Sequence, residues 1–212
     1  MSGLAAGNLP LIDFGVASVP APGEKESGDL YLVTPTRRGI LLAVVDGLGH
    51  GDEAAAAARA AVKTLSAHSN EGVISLVKQC HERLKGTRGA VMSLVSFDRA
   101  EDTITWLGIG NIEGVLLNIN GPCNSILLRP GVVGYRLPPL QAAVQPIAPG
   151  DLMILVTDGI RGDFTREFAA DALPSQIANY IASNYPKGTD DALVFAARYR
   201  GWRPDPSPET HS

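Results

Sequence analysis

The sequence predicts an α+β domain built as a four-layer αββα sandwich, with two antiparallel β-sheets packed together and helices on the outer faces. Three features lead there. Short strand-like segments recur on both sides of two helical blocks, and each helical block returns to strands. Tight polar turns join most of these segments, which favours antiparallel neighbours over βαβ crossovers. Two apolar runs, ILLAVV at residues 40–45 and DLMILV at 151–156, are continuous, which suits strands buried on both faces.

Composition sets the bounds. With 212 residues, 45% hydrophobic and 19% charged, the chain is long enough for one well-buried domain. Residues 1–201 are expected to form it, and the polar, Pro-rich tail at 202–212 is expected to be disordered. Mean hydropathy is +0.07, yet no apolar run approaches the ~20 residues of a membrane span. No Lys or Arg precedes the mildly apolar N-terminus, so no signal peptide is expected. A net charge of −4 without a basic tract argues against a nucleic-acid partner. Cys80 and Cys123 have neither metal-ligand spacing nor a disulfide framework, which fits a reducing cytoplasm and a structural role for both.

In chain order, residues 9–19 carry scattered β-formers ending at Pro20 and read as an edge strand. A polar turn at 22–28 leads to DLYLVT at 29–34, the return strand of a hairpin. With the strand at residue 40 these make an antiparallel meander. An alanine-rich helix follows at about 52–68, with Asp52 and Glu53 in the first turn, where the helix dipole favours acids. A second helix, about 72–85, places Val73, Leu76, Val77, Cys80 and Leu84 on one face and ends at Gly86. Residues 90–97 and 103–108 form one hairpin, and 114–119 and 125–128 another. The Pro- and Gly-rich stretch 129–149 reads as loop with one short strand at most. A strand at 151–156, a helix at 174–184 with Pro in its first turn, and a strand at 192–199 complete the order.

The acids share a local grammar. Asp46 follows ILLAVV, Asp158 follows LMILVT, and Asp190 and Asp191 immediately precede ALVFAA. Each stands at the end of a buried strand, and in an antiparallel sheet one strand's start lies beside its neighbour's finish. All three sites can therefore meet at one end of the sandwich, and Asp29, which begins another strand, can join them. Crowded carboxylates repel one another unless a cation neutralises them. Oxygen-only ligation without a His or Cys cluster points to Mg²⁺ or Mn²⁺. Two such ions can position a water and lower its pKa for attack on phosphorus. Gly47, Gly49 and Gly51 let the chain turn sharply after Asp46 and come close to a ligand. The same stretch also suits a plain strand-to-helix turn capped by Asp46 or Asp52.

Gly28 and Asp29, the block Asp46-Gly47-Leu48-Gly49-His50-Gly51, Thr157-Asp158-Gly159 and the pair Asp190-Asp191 occur in an order that resembles the PPM family of metal-dependent serine/threonine protein phosphatases. The branch is the SpoIIE-like one. The resemblance implies a β-sandwich flanked by helices and the use of two Mn²⁺ or Mg²⁺ ions. It implies that Asp46 bridges the ions, that the Gly47 carbonyl ligates one of them, and that Asp158 and Asp190 hold the second. Asp29 then acts through an intervening water, and Asp191 is the alternative to Asp190. Asp46 and Asp158 are the catalytic candidates. No arginine stands where eukaryotic relatives hold the phosphate, which leaves that task to the metals; Arg37 and Arg38 belong to another turn. His50 is a further candidate for contact with the site or the substrate.

Two further segments, GIGNIEG at 108–114 and GVVGYRLP at 131–138, together with the lack of room for a sensor domain, resemble the feedback phosphatases of the stressosome. That implies a cytoplasmic enzyme acting on phosphorylated STAS-domain proteins of the RsbS and RsbR type. A SpoIIE- or RsbU-like enzyme acting on a free anti-anti-sigma factor is the neighbouring alternative, and a non-catalytic binding module on the same fold is the rival from another class. Loops 129–149 and 161–173 are the expected docking surfaces.

Overall fold

The computed structural model describes residues 3–24, 26–119, 121–125, 127–165 and 171–202 of the chain. The tail expected to be disordered therefore lies, from residue 203 onward, outside the described residues. Two sheets form the centre. The first contains β1 (Gly3–Asn8), β2 (Ile12–Val19), β7 (Glu113–Leu117), β8 (Cys123–Ser125), β11 (Leu152–Val156) and β12 (Ala192–Tyr199), in the spatial order β1-β2-β12-β11-β7-β8. The second contains β3 (Asp29–Pro35), β4 (Gly39–Gly47), β5 (Ala90–Asp98), β6 (Thr103–Ile109) and β10 (Ala143–Pro146), in the order β10-β6-β5-β4-β3. Every pair in these two orders is antiparallel. The short β9 (Leu128–Arg129) departs from the expectation by pairing with β6 in parallel.

Three apolar layers explain the continuous runs. Leu42 and Val44 of β4 point between the sheets, with Val95, Phe97, Leu155 and Phe195. Leu41, Ala43 and Val45 point the other way, against α1 (Asp52–Ala67) and α2 (Val73–Leu84). On the opposite side, Ile154, Val156, Val194 and Ala196 meet Ile177 and Ile181 of α3 (Pro174–Asn184). A strand covered on both faces cannot alternate apolar with polar, which is why β4, β11 and β12 read as unbroken hydrophobic stretches.

The start of the chain differs from its expected form. Residues 9–19 are not an edge strand paired with 29–34. Leu9 and Ile12 close a tight turn through reciprocal backbone bonds of 2.8 and 3.2 Å, so that β1 folds back on β2. β2 then lies inside its sheet, between β1 and β12. β3 belongs to the other sheet and pairs with β4, so the expected meander is split across the sandwich. The sequence GLAAGN of β1 lacks β-branched residues, and its strand character comes from pairing with β2 alone.

Phe195 joins the layers: it is fully buried, with ring centroids 5.7 Å from Phe14 of its own sheet and 5.9 Å from Tyr31 of the other. Phe195→Ala is expected to cost about 3–5 kcal/mol of unfolding free energy, whereas Leu4→Ala, at a side chain 67% exposed, is expected to stay within about 0.5 kcal/mol. Urea denaturation of both variants checks this, and a small cost at Phe195 would contradict the packing described.

Candidate active site

The strand ends that carry acids meet at one end of the sandwich. In the second sheet Asp29, which opens β3, stands directly opposite Asp46 near the end of β4. In the first sheet β11 runs into Thr157 and Asp158, while Asp190 and Asp191 lead into β12, its antiparallel partner. Asp46, Asp158 and Asp190 line one cavity of about 430 Å³. Leu48, Val91 and Val132 supply an apolar wall, and Asn111 and Pro130 also line it. Among the described residues no three His, Cys, Asp or Glu side chains already stand in an arrangement that could hold a metal ion; Asp46, Asp158 and Asp190 each reach the cavity from a different strand end.

Glycine makes the approach of α1 to this end possible. A Cβ on Gly47 would stand 2.1 Å from the Ala54 carbonyl oxygen, so only glycine lets the first turn of α1 rest on the end of β4. The φ values of +86° at Gly49 and +77° at Gly51 then turn the chain into the helix. Gly51 is the N-cap residue, and among the described residues no side chain caps α1. Asp46 is thus free of the capping role that the local sequence also allowed.

The acids have unequal surroundings. Asp29 is buried, and its Oδ2 accepts a 2.6 Å bond from the Thr157 hydroxyl. Burial pushes its carboxyl up to about 8, against the pull of that bond, and the charges of Asp191, Asp158 and Asp190 add to the rise. Asp46 is pushed up to about 9, first by burial and then by the charges of Asp29 and Asp158. Asp158 is also raised, by burial and by Asp190, while Lys187 and an Asn111 side-chain bond of 2.8 Å pull it down. Asp191 is buried, and its two oxygens accept the backbone N–H groups of Ala21 and Gly28, each at 2.7 Å. It anchors the loop between β2 and β3, while Asp190 is exposed at the cavity.

Two residues without an assigned role in the sequence reading come forward. Thr157 donates to Asp29 and accepts the Leu193 amide at 2.8 Å, bonding the two sheets together at their acid-bearing end. Its signal was present, since a hydroxyl at the buried end of an apolar strand needs a partner. Asn111 lies in a glycine-rich turn, and nothing local indicates that its amide reaches Asp158. His50 does not line the cavity; its Nδ1 lies 2.7 Å from Glu24 on the surface. Of the expected docking loops, 129–149 contributes Pro130, Gly131 and Val132 to the cavity. The other is only partly within the described residues, and there Arg161 turns to the Asn184 carbonyl. Cys80 is buried, with its thiol pushed up to about 12, and is structural.

This fold, with its acids at one end, defines a protein phosphatase domain of the PPM class. The chain belongs to the SpoIIE family: the family described as Stage II sporulation protein E (SpoIIE) matches residues 36–200. It is similar to phosphoserine phosphatase RsbX of Bacillus subtilis (strain 168), with 24% identity over 138 residues, 65% of this chain and 69% of that protein. The crystal structure of RsbX in complex with magnesium superposes with a TM-score of 0.84 at 20% identity, covering 93% of this chain and 100% of that one. A chain from the work "The bacterial stressosome: a modular system that has been adapted to control secondary messenger signaling" is 32% identical, with a TM-score of 0.81, covering 88% of this chain and 99% of its own length.

The raised carboxyls set a pH dependence. Between the ordinary value of 3.8 and the folded values of about 8 and 9 for Asp29 and Asp46, the folded protein holds protons that the unfolded chain has released. Unfolding then releases protons, so stability falls as pH rises through that window. In EDTA, the thermal midpoint is expected to drop from about pH 5 to about pH 9, and Asp46→Asn to flatten the slope. Differential scanning fluorimetry across that range checks this; a slope identical in wild type and variant would contradict it.

Proposed function

We propose that this chain is a divalent-metal-dependent phosphatase that removes phosphate from phosphoserine or phosphothreonine on STAS-domain proteins of the RsbS and RsbR type, resetting the stressosome in the cytoplasm. The observation that carries the reading is the gathering of Asp29, Asp46, Asp158 and Asp190 at one end of the sandwich, in a chain similar to RsbX. The donors fit Mg²⁺ or Mn²⁺. They are all oxygen, neither His nor Cys lines the cavity among the described residues, and two of the carboxyls are held far above their ordinary range by burial and mutual charge.

In this reading Asp46, the Gly47 carbonyl, Asp158 and Asp190 would hold the divalent ions. Asp190 takes this role in place of Asp191, whose oxygens already accept two backbone amides. Asp29 acts at one remove, because it is buried and bonded to Thr157. When bound, the ions neutralise the acids, and they polarise a water and the phosphoryl oxygens. Asn111 fixes the rotamer of Asp158. Leu48, Val91 and Val132 give the phosphoserine side chain a dry wall to lie against.

Phosphate release from phosphorylated RsbS- and RsbR-type proteins, followed with EDTA, Mg²⁺ or Mn²⁺, tests the proposal. Release is expected only with metal, and Asp46→Asn and Asp158→Asn are each expected to reduce kcat about 100-fold or more. Preference for a free anti-anti-sigma protein would move the chain to a SpoIIE- or RsbU-like role. Release from no substrate with any metal would leave a binding module.

A further inference from the structure

We infer that Arg88 is a phosphate-binding residue of this site, a role that rests on the phosphatase reading above. Arg88 lies in the turn between α2 and β5, far in sequence from the acids. That turn is fastened to the metal-side loop, because the Leu48 N–H donates to the Gly89 carbonyl at 3.1 Å. The Thr87 hydroxyl donates to the Leu84 carbonyl at 2.7 Å and accepts the Gly89 amide at 3.0 Å, so the turn has its own bracing. From this base the guanidinium extends over Gly49. Its Nη1 stands 2.6 Å from the position a Cβ on Gly49 would take. Gly49 is itself a wall of the cavity that Asp46, Asp158 and Asp190 line. A side chain at residue 49 would take the space that the guanidinium occupies beside this wall.

Among the described residues Arg88 forms its ion pair with Glu53 and not with an acid of the cavity. Among the described residues Arg88 has one hydrogen-bond partner, Glu53 in the first turn of α1, which accepts from Nε at 2.5 Å. Glu53 holds the inner edge of the fork and leaves the Nη edge toward Gly49. A guanidinium presents paired donors that match two oxygens of a phosphate monoester, which a point charge cannot do. Among the described residues that line the cavity, the side chains are otherwise carboxylates, apolar groups and the Asn111 amide, which already donates to Asp158. Half-exposed but braced at its base and at Nε, Arg88 can turn its Nη edge to two oxygens of an incoming phosphate.

The test uses the full chain loaded with Mg²⁺, a phosphoserine peptide as substrate and inorganic phosphate as the binding probe. Arg88→Ala is expected to lower kcat/KM about ten-fold, mainly through KM, as loss of a charge-assisted bond does. Calorimetric titration is expected to show a similar weakening for inorganic phosphate, with an unchanged melting temperature. Arg88→Lys is expected to recover part of the loss, and Glu53→Gln to give an intermediate effect. Phosphate affinity and KM equal to wild type in Arg88→Ala would overturn the assignment, and so would a loss confined to kcat. Wild-type protein that releases no phosphate would remove the phosphatase reading, and the titration with inorganic phosphate would still decide the role of Arg88.

Discussion

The governing constraint is that the sandwich forces carboxylates from two different sheets to share one end. Asp29 and Asp46 are fixed by the register of β3 on β4, and Asp158 and Asp190 by the register of β11 on β12. Each position follows from backbone pairing and from burial of the strand beside it. None of these acids can retreat without unravelling a strand whose apolar residues fill two layers. Thr157 tightens the constraint by bonding across from one sheet to Asp29 of the other. Repulsion is therefore built in, and it appears as carboxyls raised by burial and by one another. Under the proposed function a divalent cation relieves such a cluster.

The neighbouring aspartates Asp190 and Asp191 illustrate how extended backbone divides labour. Successive residues of an extended chain point to opposite sides. Asp191 points inward and closes two backbone amides of the β2–β3 loop, while Asp190 faces the cavity. One acid shapes the loop and leaves the other available. The Ala21–Gly28 connection, whose chain must pass from one sheet to the other, depends on that inward carboxylate for its shape.

Much of this was legible in the sequence because the signals were local. The ILLAVV run, the alanine-rich α1, the one-sided face of α2 and the Pro-led α3 each carry their own periodicity or punctuation. The acids were legible because each follows or precedes such a run. What escaped depends on pairing across distance. No pattern in residues 9–34 tells which sheet a strand joins, so β2 and β3 looked like a hairpin although they lie in different sheets. β1 has almost no β-forming residues of its own. Asn111 and Arg88 reach the site from turns whose sequences carry polar groups of an ordinary kind, and only the fold brings them to Asp158 and Gly49.

Anomalous scattering at the manganese edge from crystals soaked in Mn²⁺ decides whether these acids hold metal. Peaks are expected within coordination distance of Asp46, Asp158 and Asp190, with Asp191 still accepting the Ala21 and Gly28 amides. Peaks elsewhere, or none beside Asp46, would contradict it.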